Sequence, residues 1–262
     1  MTSQSAALEA DRALVGEAAR EAGRLAMRFM RRGLRVWDKA PGDPVSEADL
    51  AADTLLKEVL GKARPAYGWL SEETADDHAR LSARRTFVVD PIDGTRAFVK
   101  GRAEFVVSVA VVEDGRPVAA AIYNPSNGAL YDAAQGRGAA LNGAPIQVTA
   151  ADAIGGARIL GDPGRLTALR DIGAQAFTVN SAALRLALLA EGAFDAVVAV
   201  RGKWDWDLAA GHLILEEAGG RMTGSGGQAL SYAGEQTRQP PPLAAGPALH
   251  ALLLDHLNQS ET

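Results

Sequence analysis

The most constraining feature of the chain is the hexapeptide Asp90-Pro91-Ile92-Asp93-Gly94-Thr95, which follows the apolar run Phe87-Val88-Val89. The apolar run predicts the end of a buried strand. Pro91 lacks a backbone N–H and Gly94 favours a tight turn, so we expect the chain to leave the sheet here. Two carboxylates at a strand end can hold a hard cation, and the N–H groups that follow can hold a phosphate. An ordinary acidic turn is the alternative.

Composition excludes several classes of protein. The chain has 262 residues, of which 47% are hydrophobic and 23% charged, as in ordinary globular proteins. It contains no cysteine, which excludes disulfides, thiolate metal sites and cysteine nucleophiles. The net charge of -5 argues against binding to a nucleic-acid polymer. The start lacks a signal pattern and no apolar stretch approaches about 18 residues, so we expect a cytoplasmic protein without a membrane span.

The order of predicted elements indicates an α/β (α+β) fold in two halves. Residues 1–150 begin with an amphipathic helix and continue into several strands, among them 104–112, whose apolar residues alternate between two faces. Residues 151–262 alternate short strands and helices, which is typical of an α/β unit. We therefore expect an N-terminal half that carries most of the acidic motifs and a C-terminal half that completes the site.

Further acidic residues fall at the ends of other predicted elements. Glu72 and Glu73 follow a short predicted strand, where they would point in opposite directions, so that only one would face a site. Asp207 opens an almost entirely apolar helix, and Asp49 stands three residues after Ser46 at another helix start. Helix capping alone would explain both aspartates.

Carboxylates that converge on one point repel each other unless cations lie between them. A ligand set made of oxygen atoms alone selects Mg²⁺, Mn²⁺ or Ca²⁺ over zinc. Two such ions about 3.5–4 Å apart can activate a water against a phosphate ester. The sequence has no phosphate-binding Walker loop and no Gly-x-Ser-x-Gly elbow, and the run Gly136-Arg137-Gly138 lacks the third glycine of a dinucleotide fingerprint.

Four segments of the chain resemble the site motifs of the inositol monophosphatase superfamily. They are Asp90 to Thr95, Trp206-Asp207-Leu208-Ala209-Ala210-Gly211, Ser71-Glu72-Glu73, and the segment from Asp43 to Asp49. Their order and spacing agree with the family over roughly residues 8–257. The resemblance implies a layered α-β-α-β-α sandwich and a Mg²⁺-dependent, lithium-sensitive phosphomonoesterase.

The resemblance also implies a set of metal ligands. Glu72, Asp90 and the carbonyl of Ile92 would hold the first Mg²⁺ ion. Asp90, Asp93 and Asp207 would hold the second, and Glu72 would help to hold a weaker third. Two to three ions are therefore expected, with Mn²⁺ as a substitute.

The same resemblance assigns the catalytic and phosphate-binding groups. Asp49 and Thr95 would orient the attacking water, with Glu72 as the third catalytic residue through its metal. The N–H groups of Gly94 and Thr95 would bind the phosphate. Partners are then small phosphorylated metabolites, and the family's habit makes a homodimer possible.

The substrate is predicted from finer features of the motifs. Leu70-Ser71-Glu72-Glu73 and the segment around Glu104-Phe105 are most similar to the bacterial 3'(2'),5'-bisphosphate nucleotidases. Val200 stands where inositol-specific members usually carry a glutamate, and Arg201 and Lys203 could bind a second phosphate. The expected substrate is 3'-phosphoadenosine 5'-phosphate. An inositol-1-monophosphatase, a histidinol-phosphate phosphatase and, remotely, a non-catalytic binding protein are the alternatives.

Overall fold

The computed structural model describes residues 3–260. Over these residues the chain forms seven α-helices: α1 (Ser3–Arg32), α2 (Glu47–Ala63), α3 (Thr95–Val99), α4 (Thr167–Asp171), α5 (Ala182–Ala190), α6 (Asp205–Glu217) and α7 (Pro247–Ser260). None of the described helices is both long enough and apolar enough to cross a membrane.

The first half of the chain forms a hairpin and a large sheet. The hairpin pairs β1 (Val36–Ala40) with β2 (Asp43–Ser46). Seven strands form the sheet in chain order, with β3 and β4 parallel and all other neighbours antiparallel. They are β3 (Gly68–Ser71), β4 (Arg85–Asp93), β5 (Val106–Glu113), β6 (Arg116–Asn124), β7 (Ala129–Ala134), β8 (Ala139–Leu141) and β9 (Ala144–Pro145).

The second half adds a smaller mixed sheet and a two-stranded ribbon. The sheet contains β10 (Arg158–Leu160), β11 (Gln175–Phe177), β12 (Ala196–Val198), β14 (Arg221–Gly224) and β16 (Pro242–Ala245), in the order β11-β10-β12-β16-β14. The ribbon pairs β13 (Lys203–Trp204) with β15 (Arg238–Gln239). Strand β13 leads directly into α6, and both of its residues line the pocket of the candidate site.

Alternation of side chains along the strands creates the layers. On the large sheet Phe87 and Val109 pack with Leu56 of α2 on one face. Val88 and Ala110 pack with α5 and α6 on the other face, because successive residues of a strand point to opposite sides. Both faces of β5 are buried, as expected for a strand that is covered by helices on each side.

The layers run from α1 and α2 through the large sheet to α5 and α6, then through the small sheet to α7. The predicted layered α-β-α-β-α architecture is therefore confirmed. The predicted boundary between halves near residue 150 stays a prediction. The helix that begins after Ser46 extends to Ala63.

Candidate active site

The end of β4 carries the two aspartates of the hexapeptide on an irregular stretch of strand. Asp90 pairs with Ser108 and Asp93 with Val106, so three steps on β4 correspond to two on β5. This is the geometry of a β-bulge, which re-aims side chains and is tolerant of a proline. The extra residue allows both carboxylates to face one pocket although an odd spacing on a regular strand would separate them.

The start of α5 holds one oxygen of Asp93. Ser181 Oγ donates to Asp93 Oδ2 at 2.7 Å, and the Ala183 N–H donates to the same oxygen at 2.6 Å. Ser181 also caps α5, since its Oγ accepts from the Leu184 N–H at 3.0 Å. Two donors on Oδ2 fix the carboxylate and leave Oδ1 available to the pocket. Sequence reasoning missed Ser181, whose only signal is a serine at a helix start.

The start of α6 holds Asp207 in a similar way. The Trp204 N–H donates to Asp207 Oδ2 at 2.8 Å, which caps the helix. The predicted capping role of Asp207 is therefore confirmed, and the same carboxylate also lines the pocket beside Asp90.

Three carboxylates meet in this pocket. Asp90, Asp93 and Asp207 each place one oxygen within 4.8 Å of the others. Burial raises the pKa of all three, to about 6 for Asp93, where the charge of Asp207 also contributes. Among the described residues, only the Ile92 N–H donates a hydrogen bond to the Asp90 carboxylate, at 3.0 Å. Buried like charges with so few donors fit a divalent cation with oxygen ligands.

Glu72 lines the same pocket but is not one of these three. Lys39 Nζ on β1 lies 3.1 Å from Glu72 Oε1 and 2.5 Å from Glu73 Oε1. Of the two glutamates only Glu72 lines the pocket, as expected. The two carboxylates nevertheless share Lys39 and do not point in opposite directions, because β3 ends at Ser71 and the alternation of a strand stops there. Burial raises the pKa of Glu72 to about 7 although the charge of Lys39 acts against it. No sequence motif indicated Lys39.

Asp49 is a helix cap and a partner of Thr95 at once. Its Oδ2 accepts from the N–H and hydroxyl of Ser46, at 2.9 and 2.6 Å, which confirms the predicted capping box. Its Oδ1 lies 3.1 Å from Thr95 Oγ1, and burial raises its pKa. Asp49 does not line the pocket, so it reaches the site only through Thr95.

Gly94 is required by the local backbone. Its φ is +101°, and a Cβ built there would lie 2.6 Å from the Glu104 carbonyl oxygen. Gly94 therefore lets β4 turn sharply into α3, whose first residue is Thr95. Both residues line the pocket.

The two predicted substrate-binding cations differ in position. Lys203 lines the pocket, and its charge lowers the pKa of Asp93 and Asp207 against the effect of burial. Arg201 is exposed and does not line the pocket. It was expected near the site because it follows Val200, which stands at the place where inositol-specific members usually carry a glutamate, but β13 begins only at Lys203 and Arg201 faces solvent.

Several pocket residues were not predicted from the sequence. They are Asp43 and Pro44 of β2, Arg96 of α3, Asn180 before α5, and the pair Trp204 and Trp206. The two indoles stack with centroids 5.2 Å apart and an interplanar angle of 12°. The available signal was their position beside Asp207, with Trp206 inside the motif and Trp204 two residues before it.

Comparison with known proteins gives one consistent result. Residues 8–262 match the family model described as "Inositol monophosphatase family". The chain is 38% identical over 211 residues to "Inositol-1-monophosphatase" of Rhizobium meliloti (strain 1021), covering 74% of this chain and 77% of that protein. It is 34% identical over 223 residues to "Nus factor SuhB" of Pseudomonas aeruginosa, covering 79% and 82%.

A solved structure gives the same answer for the fold. The extragenic suppressor protein suhB from Bartonella henselae superposes with a TM-score of 0.86 at 32% identity, covering 95% of this chain and 98% of that one. The chain belongs to the inositol monophosphatase family, whose members are metal-dependent phosphomonoesterases.

Proposed function

We propose that this chain hydrolyses a small phosphate monoester with Mg²⁺, and that inositol 1-phosphate is its best candidate substrate. The observation that carries the reaction is the cluster of Asp90, Asp93 and Asp207 in one pocket with Thr95. The name of the Rhizobium relative supports inositol 1-phosphate. It thereby favours the alternative over the nucleotidase that the sequence motifs suggested.

The residues that would hold the metal are those of the pocket itself. Asp90, Asp93 and Asp207 supply the clustered oxygens, and Glu72 and the Ile92 carbonyl lie beside them in the same pocket. When bound, Mg²⁺ supplies Lewis-acid activation of a water and neutralises charge on the leaving oxygen. The number of ions, and Mn²⁺ as a substitute, remain part of the proposal.

Thr95 and Asp49 are placed to handle the proton of the attacking water. Thr95 Oγ1 has one proton and two acceptors, Asp49 Oδ1 at 3.1 Å and the Ile92 carbonyl at 3.0 Å. A hydroxyl that donates to a carboxylate keeps its lone pairs free to accept from a water in the pocket. We infer that Thr95 orients this water and that Asp49 keeps the hydroxyl turned toward it.

The pocket also offers positive charge and backbone donors to the phosphate. Gly94 and Thr95 line the pocket at the turn into α3, and we propose that their N–H groups bind phosphate oxygens. Lys203 also lines the pocket and supplies a cation that forms no ion pair with any described carboxylate. A cytoplasmic location and a homodimer remain predictions from the sequence.

Phosphate release from four esters tests the proposal. The esters are inositol 1-phosphate, 3'-phosphoadenosine 5'-phosphate, histidinol phosphate and fructose 1,6-bisphosphate, each with and without Mg²⁺ or Mn²⁺. Asp207→Asn should abolish turnover, and Asp152→Asn, at an exposed aspartate outside the pocket, should leave it unchanged. Turnover of inositol 1-phosphate with the highest kcat/KM is expected. Absence of turnover with every ester and both metals would contradict the proposal.

A further inference from the structure

The mouth of the pocket carries an exposed tryptophan with a guanidinium over it. Trp204 lines the pocket and is 39% exposed, which is unusual for an indole beside a cluster of carboxylates. The Cζ atom of Arg238 lies 4.9 Å from the centroid of its ring. Arg238 is itself exposed, so an aromatic side chain and a cation together form this part of the rim.

Three contacts hold Trp204 in place. Its backbone N–H donates to Asp207 Oδ2, and its indole ring stacks on Trp206. In addition, β13 pairs with β15, so that Trp204 lies opposite Arg238. Residues directly opposite each other in an antiparallel pair share one face of the ribbon. The guanidinium is therefore carried on a fixed platform at a fixed position relative to the carboxylate of Asp207.

The donors of Arg238 are almost unused. Among the described residues its side chain makes one hydrogen bond, from Nη2 to the Gly202 carbonyl at 3.4 Å, which is long. Within residues 3–260 no carboxylate lies within ion-pair distance of it. A guanidinium has five N–H donors, and a planar fork held on an aromatic ring suits a phosphate or carboxylate.

The neighbouring side chains of the ribbon, Gln239 and Lys203, lie elsewhere. Gln239 donates to Asp205 Oδ1 at 2.7 Å and to the Ser231 carbonyl at 2.6 Å, which directs it into the protein. Lys203 lies within the pocket beside the carboxylates, where the reacting phosphate would lie. Arg238 is thus the cation that stands one aromatic ring beyond the pocket wall.

We propose that Arg238, held on Trp204, binds an anionic group that the leaving alcohol of the substrate carries in addition to the reacting phosphate. This inference rests on the proposed phosphatase function and adds a second class of substrates beside inositol 1-phosphate, the esters with a second phosphate or a carboxylate. It transfers to Arg238 the role in second-anion binding that the sequence suggested for Arg201. A purely structural cation–π contact between Arg238 and Trp204 would predict no such selectivity.

The test compares a singly and a doubly phosphorylated probe in matched variants. KM is measured with Mg²⁺ for inositol 1-phosphate and for fructose 1,6-bisphosphate in the wild type, Arg238→Gln, Arg238→Lys and the control Arg170→Gln. Arg170 is an exposed arginine of α4 outside the pocket. If the bisphosphate is not turned over, its inhibition constant against inositol 1-phosphate replaces its KM.

The ratio of the two constants is the decisive quantity. Because a charged hydrogen bond to one anion is lost, Arg238→Gln should raise the constant for fructose 1,6-bisphosphate about 10-fold or more relative to that for inositol 1-phosphate. Arg238→Lys should recover only part of this loss, since lysine keeps the charge and lacks the fork. Arg170→Gln should leave the ratio within about 2-fold.

Two results would overturn the inference. One is an unchanged ratio in Arg238→Gln, and the other is a loss of selectivity in Arg201→Gln without one in Arg238→Gln. If the wild type hydrolyses neither these two probes nor the other two esters, with either metal, the proposed function fails by itself. In that case calorimetry on the Mg²⁺-loaded wild type and variants measures the dissociation constants of fructose 1,6-bisphosphate and of inorganic phosphate. The ratio of these two constants then decides the role of Arg238.

Discussion

Replacing Ser181 by alanine should weaken both the fold and the metal site. The hydroxyl is fully buried, donates to Asp93 Oδ2 and accepts from the Leu184 N–H. Loss of a helix cap costs about 1 kcal/mol, and loss of a hydrogen bond to a carboxylate costs about 1.5–3 kcal/mol. One N–H donor, from Ala183, remains on the carboxylate. We therefore expect the free energy of unfolding to fall by about 2–4 kcal/mol.

Urea unfolding in metal-free buffer measures this change, and a double-mutant cycle isolates its origin. The cycle combines Ser181→Ala with Asp93→Ala, and their coupling energy should be about 1–3 kcal/mol, because the two side chains share a hydrogen bond that either change removes. Mg²⁺ affinity should also fall about 10- to 100-fold, since Ser181 orients a candidate ligand. A coupling energy below about 0.5 kcal/mol would refute the view that α5 holds Asp93 in place.

Three further predictions concern the turn after β4, the hydroxyl beside it and a distant ion pair. Gly94→Ala should lower the free energy of unfolding by about 2–3 kcal/mol, because the Cβ of the new alanine would lie 2.6 Å from a backbone carbonyl oxygen. The control Gly128→Ala, at φ +75° with no atom near its Cβ, should lower it by about 1 kcal/mol. Equal losses in denaturant titrations would contradict this prediction. Thr95→Val should lower kcat about 100-fold or more, beyond any loss of stability from the hydrogen bond that Asp49 loses, and Thr95→Ser should restore most of the rate. A valine variant with unchanged kcat would exclude a catalytic role for the hydroxyl. Burial acts to raise the pKa of Glu113, but the hydrogen bonds and charges of Arg85 and Arg84 together lower it, so its stabilising effect is present above the unfolded value near 4.5 and is lost as the pH falls. Glu113→Gln should therefore flatten the stability profile in acid, and an unaltered profile would count against the ion pairs.

Local patterns in the sequence were enough to predict several parts of the structure. The two-residue period of a strand places alternate residues of β5 on its two faces. Apolar residues occupy both sets of positions, and both faces are buried. The capping box of Ser46 and Asp49 depends on a spacing of three residues that lies within one helix turn. Such features are set by neighbours in the chain, so one sequence is sufficient to find them.

Contacts between distant segments could not be predicted in this way. Ser181 and Asp93 are 88 residues apart in the chain, and nothing in either segment indicates the other. Lys39 meets Glu72 only because the β1–β2 hairpin reaches the pocket. Arg238 lies at the rim through its pairing with Trp204 across a two-residue ribbon, which has no pattern long enough to detect.

The central claim is that Asp90, Asp93 and Asp207 form a site whose mutual repulsion is relieved by a divalent cation. Thermal unfolding of the wild type and of Asp90→Asn, each in EDTA and in Mg²⁺, tests it most directly. Without metal the variant should be at least as stable as the wild type, because a buried charge with one hydrogen bond has been removed.

With Mg²⁺ at about 100 times its dissociation constant, the wild type should gain about 2.7 kcal/mol, equivalent to a rise in Tm of about 5–10 °C. The Tm of Asp90→Asn should change by less than about 2 °C under the same conditions, since one of the three ligands has lost its charge. An equal rise in both proteins, or a variant that is much less stable than the wild type in EDTA, would contradict the claim.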